Sequence, residues 1–192
     1  VNSPILKIKL DADRPVQKLA AIRKAREDAT LVVDANQGWT YELLCEVMDA
    51  SVDLCIDMLE QPLPRGNDAE LEGLNPPVTL ADDESCLHLG ELEQAARRYG
   101  LINIKLDKTG GLTEALALAA AARALGCQLM VGNMMGTSLA MAPSFVIARL
   151  CDFVDIDGPL LLRHDRPDGL VYRNGQVEPF SPRLWGGGGD AT

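Results

Sequence analysis

Short, almost wholly apolar runs alternate along this chain with longer amphipathic stretches, and the alternation repeats seven times. "ILKIKL" is the first apolar run, followed by a helical pattern over 16–26. "TLVVDA" predicts the second strand and "TYELLCEVMDAS" the helix after it, with Thr40 placed as its N-cap. "VDLCIDMLE" predicts the third strand, ahead of the proline-rich "QPLPRG" and a helix near 69–74. "PVTLADD" is the fourth, and "HLGELEQAARRYG" after it reads as a helix closed by Gly100. "LINIKL" is the fifth, before the alanine-rich helix "GLTEALALAAAARALG". "CQLMVGN" is the sixth, before "SLAMAPSFVIARL", and "DFVDIDG" is the seventh. Strand starts recur at roughly 25-residue intervals, the period of a βα unit. Apolar strands alternating with amphipathic helices predict a parallel sheet with helices packed over it.

The polar residues that interrupt this pattern fall in one kind of place. Lys9, Asp34, Glu60, Asp82 and Asp83, Lys105, Asn133, Asp155 and Asp157 all stand at or near the C-terminal end of a strand. In a closed barrel those ends converge on one mouth, where active sites are assembled. Neither GxGxxG nor GxxxxGK follows a strand, so an open nucleotide-binding sheet has no support. The expected fold is therefore α/β, a (β/α) barrel of TIM type. Seven strands are one short of eight, and "ILKIKL" begins within a few residues of Val1, so the first barrel strand is expected upstream. From about Leu170, "LVYRNGQVEPFSPRLW" predicts a hairpin turning at Asn174 and Gly175. The barrel domain is expected over 1–185 and a disordered tail over 186–192.

Composition narrows the picture. Of 192 residues, 47% are hydrophobic and 24% charged, which is the make-up of a globular domain with a sizeable core. A net charge of -10 argues against nucleic acid or an anionic membrane as the main partner and is compatible with a bound divalent cation without requiring one. Five cysteines without a CxxC pair predict buried free thiols in a reducing compartment. Two histidines leave little from which to build a histidine-rich zinc site. No apolar run reaches membrane-spanning length and no signal-peptide pattern opens the chain, so a cytoplasmic location is expected.

The strand-end charges suggest a chemistry. One strand-end acid is ordinarily a helix cap or a salt bridge, but Asp34, Glu60 and Asp83 end three consecutive strands. Convergent carboxylates repel one another unless a cation joins them, and oxygen-only donors fit Mg²⁺ or Mn²⁺. Asp82 competes with Asp83 as third ligand, because neighbours on a strand point opposite ways and only one faces the mouth. Lys7 and Lys9 share one face of the first strand. Lys105 lies four strands further on, across an eight-strand ring. A substrate held on the metal would meet an amine on each side, an arrangement suited to removing and returning a proton beside a carboxylate. Asp155 and Asp157, two residues apart, share a face of a strand that otherwise reads as buried, and await a positive partner.

Six motifs occur in a familiar order: "KIK" at 7–9, "VDANQGW" at 33–39, "LEQPLP" at 59–64, "ADDES" at 81–85, "NIKLDKTGGLTEA" at 103–115 and "DIDGP" at 155–159. Together they resemble the barrel domain of the enolase superfamily, in its muconate-lactonizing subgroup, and within it dipeptide epimerases of the L-Ala-D/L-Glu type. A lysine or histidine base combined with magnesium is the general arrangement of that superfamily. The resemblance implies Asp34, Glu60 and Asp83 as metal ligands, which decides against Asp82. It implies Lys9 and Lys105 (not Lys108) as the two acid/bases, Lys7 as support for the substrate carboxylate, and Asp155 and Asp157 as the holders of a dipeptide ammonium. The implied cofactor is Mg²⁺, with Mn²⁺ as a substitute. The implied reaction is epimerisation of L-Ala-L/D-Glu, or a related L,L-dipeptide, by two-base 1,1-proton transfer through an enediolate. The partner is then a small-molecule dipeptide, with a homo-oligomer admissible.

Two departures stand out. The family's N-terminal capping domain and first barrel strand are missing from this stretch, and Asn133 stands where relatives often carry cysteine. Two other readings compete: a cycloisomerase or o-succinylbenzoate synthase-like lyase of the same subgroup, which would have no need of "DIDGP", and an inactive truncated barrel serving as a binding module.

Overall fold

Seven apolar runs become seven parallel strands, hydrogen-bonded in chain order from β1 to β7, in a computed structural model that describes residues 3–187. The chain divides into two compact units. The first comprises the chain up to Cys86 with Gly90–Ile102, the second Leu87–Leu89 with the chain from Asn103 onward.

In the first unit β1 (Ile5–Lys9), β2 (Thr30–Asp34), β3 (Ile56–Glu60) and β4 (Thr79–Ala81) pair in parallel, and Ala81 pairs with the first residue of β5 (Leu101–Lys105). Pro15 opens α1 (Pro15–Ala25), where its missing amide costs no helical bond. Thr40 caps α2 (Tyr41–Asp53) as expected, its hydroxyl accepting from the Leu43 amide at 3.3 Å. Leu44, Val47, Met48 and Ser51 form the buried face of α2, and Leu19 anchors α1. The third strand starts later than expected. Val52 and Asp53 finish α2, and Cys55 turns the chain in the left-handed region at φ 50° before Ile56. The helix expected near 69–74 is one 3₁₀ turn, Ala69–Leu71. The long helix expected after "ADDES" shrinks to a 3₁₀ turn and α3 (Leu92–Ala95). Gly100 does not close it, because its amide already belongs to the sheet, donating to the Leu80 carbonyl at 3.0 Å.

The second unit holds the end of β5, then α4 (Leu106–Thr109), α5 (Leu112–Ala124), β6 (Gln128–Gly132) and β7 (Phe153–Val154). Gly110 and Gly111, at φ 75° and 145°, make the turn into α5, which buries Ala115, Leu118, Ala119 and Ala122. The single helix expected over 138–150 is two, α6 (Ser138–Met141) and α7 (Ser144–Ala148), divided at Pro143, which has no amide to continue the first. The hairpin is as expected: β8 (Tyr172–Arg173) and β9 (Gln176–Val177) pair antiparallel around Asn174 and Gly175 at φ 52° and 77°. Of the tail expected over 186–192, residues 188–192 lie outside the described residues.

Two further expectations are corrected. β7 ends at Val154, itself 41% exposed, so Asp155 and Asp157 follow the strand and do not sit in a buried one. All five cysteines are free, but only Cys86 and Cys127 are buried, and Cys55 is exposed. Among the described residues no helix is long and apolar enough to cross a membrane.

At the strand beginnings, charges are tied to backbone. Arg23 donates to the carbonyls of Ala29 and Cys55 at 2.8 Å, Leu54 at 2.9 Å and Arg26 at 3.0 Å. Arg123 repeats the device in the second unit, with Leu150 O at 2.8 Å and Asp152 Oδ2 at 2.8 Å. Asp152 in turn accepts from the Leu129 amide at 2.9 Å.

Candidate active site

The first unit's strand ends carry a row of charges, and a slip in register sets it up. Leu31 stands opposite Ile56, but Val32 stands opposite Met58, leaving Asp57 as the extra residue. Its carboxylate accepts the Leu31 amide at 2.8 Å, replacing the interrupted ladder bond. Because of that slip Asp34 pairs with Glu60; an unbroken register would pair it with Leu59. Lys9 pairs with Asp34 on one side and Ala81 with Glu60 on the other. Lys9, Asp34 and Glu60 therefore form one row across three strands, with Lys7 two residues back on the same face.

The row is dense in charge and closed to water at its centre. Asp34 and Glu60 are buried, whereas the Lys9 side chain is 67% exposed. Lys9 Nζ lies 2.7 Å from Asp34 Oδ2 and donates to Asn36 Oδ1 at 2.8 Å. Lys7 Nζ lies 2.8 Å from Glu60 Oε2 and 3.4 Å from Asp34 Oδ2. The Asn36 amide donates to Asp34 Oδ1 at 2.9 Å, in a turn where Asn36 and Gln37 are both left-handed. Burial is the main force that pushes the Glu60 carboxyl up to about 7; Lys7 opposes it, and the charges of Asp34 and Asp83 add to it.

Asp82 and Asp83 are both buried, but they act on different neighbours. Asp83 is among the charges that raise Glu60. Asp82 is among those that, after burial and Asp68, raise the Tyr99 hydroxyl above the ordinary phenol range. Next to Glu60, Gln61 is buried, left-handed at φ 36°, and hydrogen-bonded through its side chain to the Asp83 and Ser85 amides at 2.8 and 3.1 Å.

The second unit carries the remaining candidates. Lys105 ends β5 with only 6% exposure. Its stem and the Asn103 amide pass over Gly132 of β6 so closely that a Cβ there would lie 2.9 Å from both Lys105 Cε and Asn103 Oδ1. Lys108, by contrast, donates to the Asn103 carbonyl at 2.8 Å. Asp155 and Asp157 flank buried Ile156; Asp155 is half-buried and Asp157 exposed. The Asp155 amide donates to Val131 O at 2.8 Å, continuing the ladder past β7. From the hairpin, the Tyr172 hydroxyl donates to the Ile156 carbonyl at 2.6 Å, between the two aspartates. Burial raises that hydroxyl above its ordinary range, with Asp157 and Asp165 adding to the effect. Asp165 also accepts from both the amide and the hydroxyl of Ser138 at the start of α6.

Against known proteins, residues 3–184 match the family described as Enolase C-terminal domain-like. The chain belongs to that family. An N-acetyl-D-glutamate racemase from a Pseudoalteromonas species is 42% identical over 97% of this chain and 59% of its own length. The L-Ala-D/L-Glu epimerase of Escherichia coli K12 is 45% identical over 92% of the chain and 55% of its own. An enolase family member from Agrobacterium tumefaciens with homology to dipeptide epimerases, solved with bound sodium and L-Ala-L-Glu, superposes at a TM-score of 0.89 with 45% identity, covering 95% of this chain and 56% of that one. A dipeptide epimerase from Methylococcus capsulatus, complexed with Mg and L-Arg-D-Lys, gives 0.85 with 29% identity over 91% and 52%. The chain thus spans between half and three-fifths of the length of these relatives.

For an enolase-type barrel domain the question is whether these residues suit a cation. Among the described residues, no three His, Cys, Asp or Glu side chains are grouped so as to hold a metal ion; the ammonium groups of Lys7 and Lys9 lie against Asp34 and Glu60 instead. The donor chemistry does fit. Asp34, Glu60 and Asp83 are hard oxygen donors at the ends of neighbouring strands, and Glu60 is held up to about 7 by burial and two nearby acids, a strain that a divalent cation relieves. Sequence reasoning missed Asp57, Gln61, Gly132 and Tyr172. All four lay inside stretches it had marked, "VDLCIDMLE", "LEQPLP", "CQLMVGN" and "LVYRNGQVEPFSPRLW", but only as parts of a strand, a motif or a hairpin.

Proposed function

We propose that this chain carries the reaction centre of a metal-dependent dipeptide epimerase. The observation that supports it most is the register-matched row Lys9, Asp34 and Glu60, with Asp83 near enough to raise Glu60. In this reading Asp34, Glu60 and Asp83 hold Mg²⁺, for which Mn²⁺ can substitute. When bound, the ion supplies a Lewis acid for the substrate carboxylate and so makes the neighbouring C–H more acidic. Lys7 adds a fixed positive charge beside the carboxylate. One of Lys9 and Lys105, as the neutral amine, takes the α-proton and becomes an ammonium. The other, as the ammonium, gives a proton to the opposite face of the carbon, inverting it. Exchange with solvent resets both. Asp155 and Asp157 hold the ammonium of the dipeptide's first residue, which favours a dipeptide over the carbocyclic substrates of a cycloisomerase or lyase.

A second substrate class has its own support, the 42% identity to an N-acetyl-D-glutamate racemase. An N-acylated glutamate undergoes the same proton transfer but has no ammonium for Asp155 and Asp157. The two are separated by incubating the chain with L-Ala-L-Glu, other L,L-dipeptides and N-acetyl-L-glutamate in D₂O with Mg²⁺, and following α-deuteration and epimer formation by NMR. Exchange into L-Ala-L-Glu that EDTA abolishes is expected. Exchange confined to N-acetyl-L-glutamate would transfer the assignment to the second class, and exchange unaffected by EDTA would remove the metal.

A further inference from the structure

Between the ends of β3 and β4 lies a buried residue that ligates nothing in the reading above yet touches both sides of it. Gln61 follows Glu60 directly. Its backbone is left-handed at φ 36°, a conformation that a non-glycine residue holds only where its surroundings impose it. Those surroundings are complete. The Gln61 amide donates to Ala81 O at 2.8 Å, and its carbonyl accepts from the Gln37 amide at 2.8 Å. The side chain then reaches the segment after β4. Oε1 accepts from the amides of Asp83 and Ser85 at 2.8 and 3.1 Å. Nε2 donates its two hydrogens to Ser85 Oγ at 2.8 Å and Leu63 O at 2.9 Å, with Tyr99 Oη sharing in one of these bonds at 3.2 Å.

The partners of Gln61 are themselves pinned by one buried carboxylate. Asp68 Oδ2 accepts from Ser85 Oγ at 2.6 Å and Tyr99 Oη at 2.8 Å, and Asp68 Oδ1 accepts from Arg98 at 2.7 Å. The amide orientation of Gln61 is thereby determined: its oxygen faces two backbone donors, and its nitrogen faces a carbonyl and two hydroxyls that are already donating to Asp68.

We propose that Gln61 is the positioning residue of the cation site, fixing Asp83 relative to Glu60 through the Asp83 amide. The inference rests on the reading in which Glu60 and Asp83 hold a divalent ion. Glu60 shares a peptide bond with Gln61, and the backbone of Asp83 hangs from the Gln61 side chain. One residue therefore sets the relation between two ligands on different strands. The Asp68–Ser85–Tyr99 group keeps that residue in one rotamer. Outer partners of this kind typically alter metal affinity by about 10- to 100-fold.

The test is Mn²⁺ affinity, read from the loss of the free-ion electron paramagnetic resonance signal, for the wild-type chain and for Gln61→Leu, Ser85→Ala and Tyr99→Phe. Circular dichroism melts select conditions under which each variant is folded. Gln61→Leu should weaken Mn²⁺ binding about 10- to 100-fold, and Ser85→Ala and Tyr99→Phe, which only loosen the glutamine, by a few-fold. A residue that merely satisfies buried polar groups would lower the melting temperature and leave the affinity of the folded chain alone. Folded variants binding within twofold of wild type would overturn the proposal; if Gln61→Leu does not fold, Ser85→Ala decides by the same criterion. A wild-type chain that takes up no Mn²⁺ would instead sink the metal reading, and this proposal with it.

Discussion

Where β3 begins, Arg23 is surrounded by backbone carbonyls, and where β7 begins, Arg123 is shared between backbone and the Asp152 carboxylate; where β1, β2 and β3 end, charged side chains are surrounded mainly by one another. Arg23 saturates its guanidinium on the ends of α1 and α2 and the turns that follow them. Asp57 and Asp152 accept amides that the ladder leaves over. None of these groups has capacity aimed at a ligand, and each stabilises the place where it sits. At the other end Asp34 and Glu60 are buried with two lysines and with Asp83 nearby, and Glu60 is driven up to about 7. A fold selected only for stability would remove that carboxylate. Charge that costs stability and still persists is the expected mark of a working site, and it separates the two ends more sharply than composition does.

The comparison breaks most visibly at Glu60. Glu60→Gln should lower Mg²⁺-dependent exchange by about 10³-fold, or about 4 kcal/mol in the barrier, because it removes a charged donor from the centre of the row. Exchange assays on the folded variant check this, and a loss under tenfold would put Glu60 outside the chemistry. At the strand beginnings the signs reverse. Arg23→Ala should cost about 2 kcal/mol of stability by taking the donor from several carbonyls, of which Ala29 is buried and the others part-buried or exposed, with exchange per folded molecule unchanged. The half-exposed Arg123 holds fewer carbonyls, so Arg123→Ala should cost about 1 kcal/mol. Urea titrations measure both. A drop in exchange without unfolding would mean that this end also serves the reaction.

A pH effect gives a finer test. The folded-state value of Glu60 is raised, so its neutral form is the one that folding favours. Its contribution is fully present below the ordinary carboxylate value and is lost as pH rises towards about 7. With cations chelated, the wild-type chain should therefore lose on the order of 2 kcal/mol between about pH 4.5 and 7 that Glu60→Gln keeps. Identical pH profiles for the two would show that the carboxylate is not under strain.

Most of the strand order was legible because β2, β3 and β5 are apolar nearly throughout and the acids and lysines interrupt them at their ends. What could not be read is what depends on pairing. Asp57 between Ile56 and Met58 looks like any outward-facing polar residue, and only the partner strand reveals it as the extra residue that brings Glu60 opposite Asp34. Gln61 stood inside a marked motif, but its role lies in a left-handed backbone and in contacts with residues 22 to 38 positions away. Gly132 looked like a strand end; the reason for glycine is the passage of Lys105 and Asn103 over it. Helix lengths were overread around Leu92 and Ser138, because alanine and leucine satisfy helical periodicity whether or not the helix continues. Pro143 was the available warning.

The central proposal, that Lys9 and Lys105 are the two acid/bases, is tested most directly by following deuterium at the inverting α-carbon in D₂O for L-Ala-L-Glu and L-Ala-D-Glu, each offered separately to Lys9→Ala and Lys105→Ala. Each variant should exchange the α-proton of one epimer only, the opposite one in each case, and neither should interconvert the two, with losses of about 10²- to 10⁴-fold on the silenced face. If both single variants still exchange both epimers at wild-type rates, Lys9 and Lys105 are not the two bases.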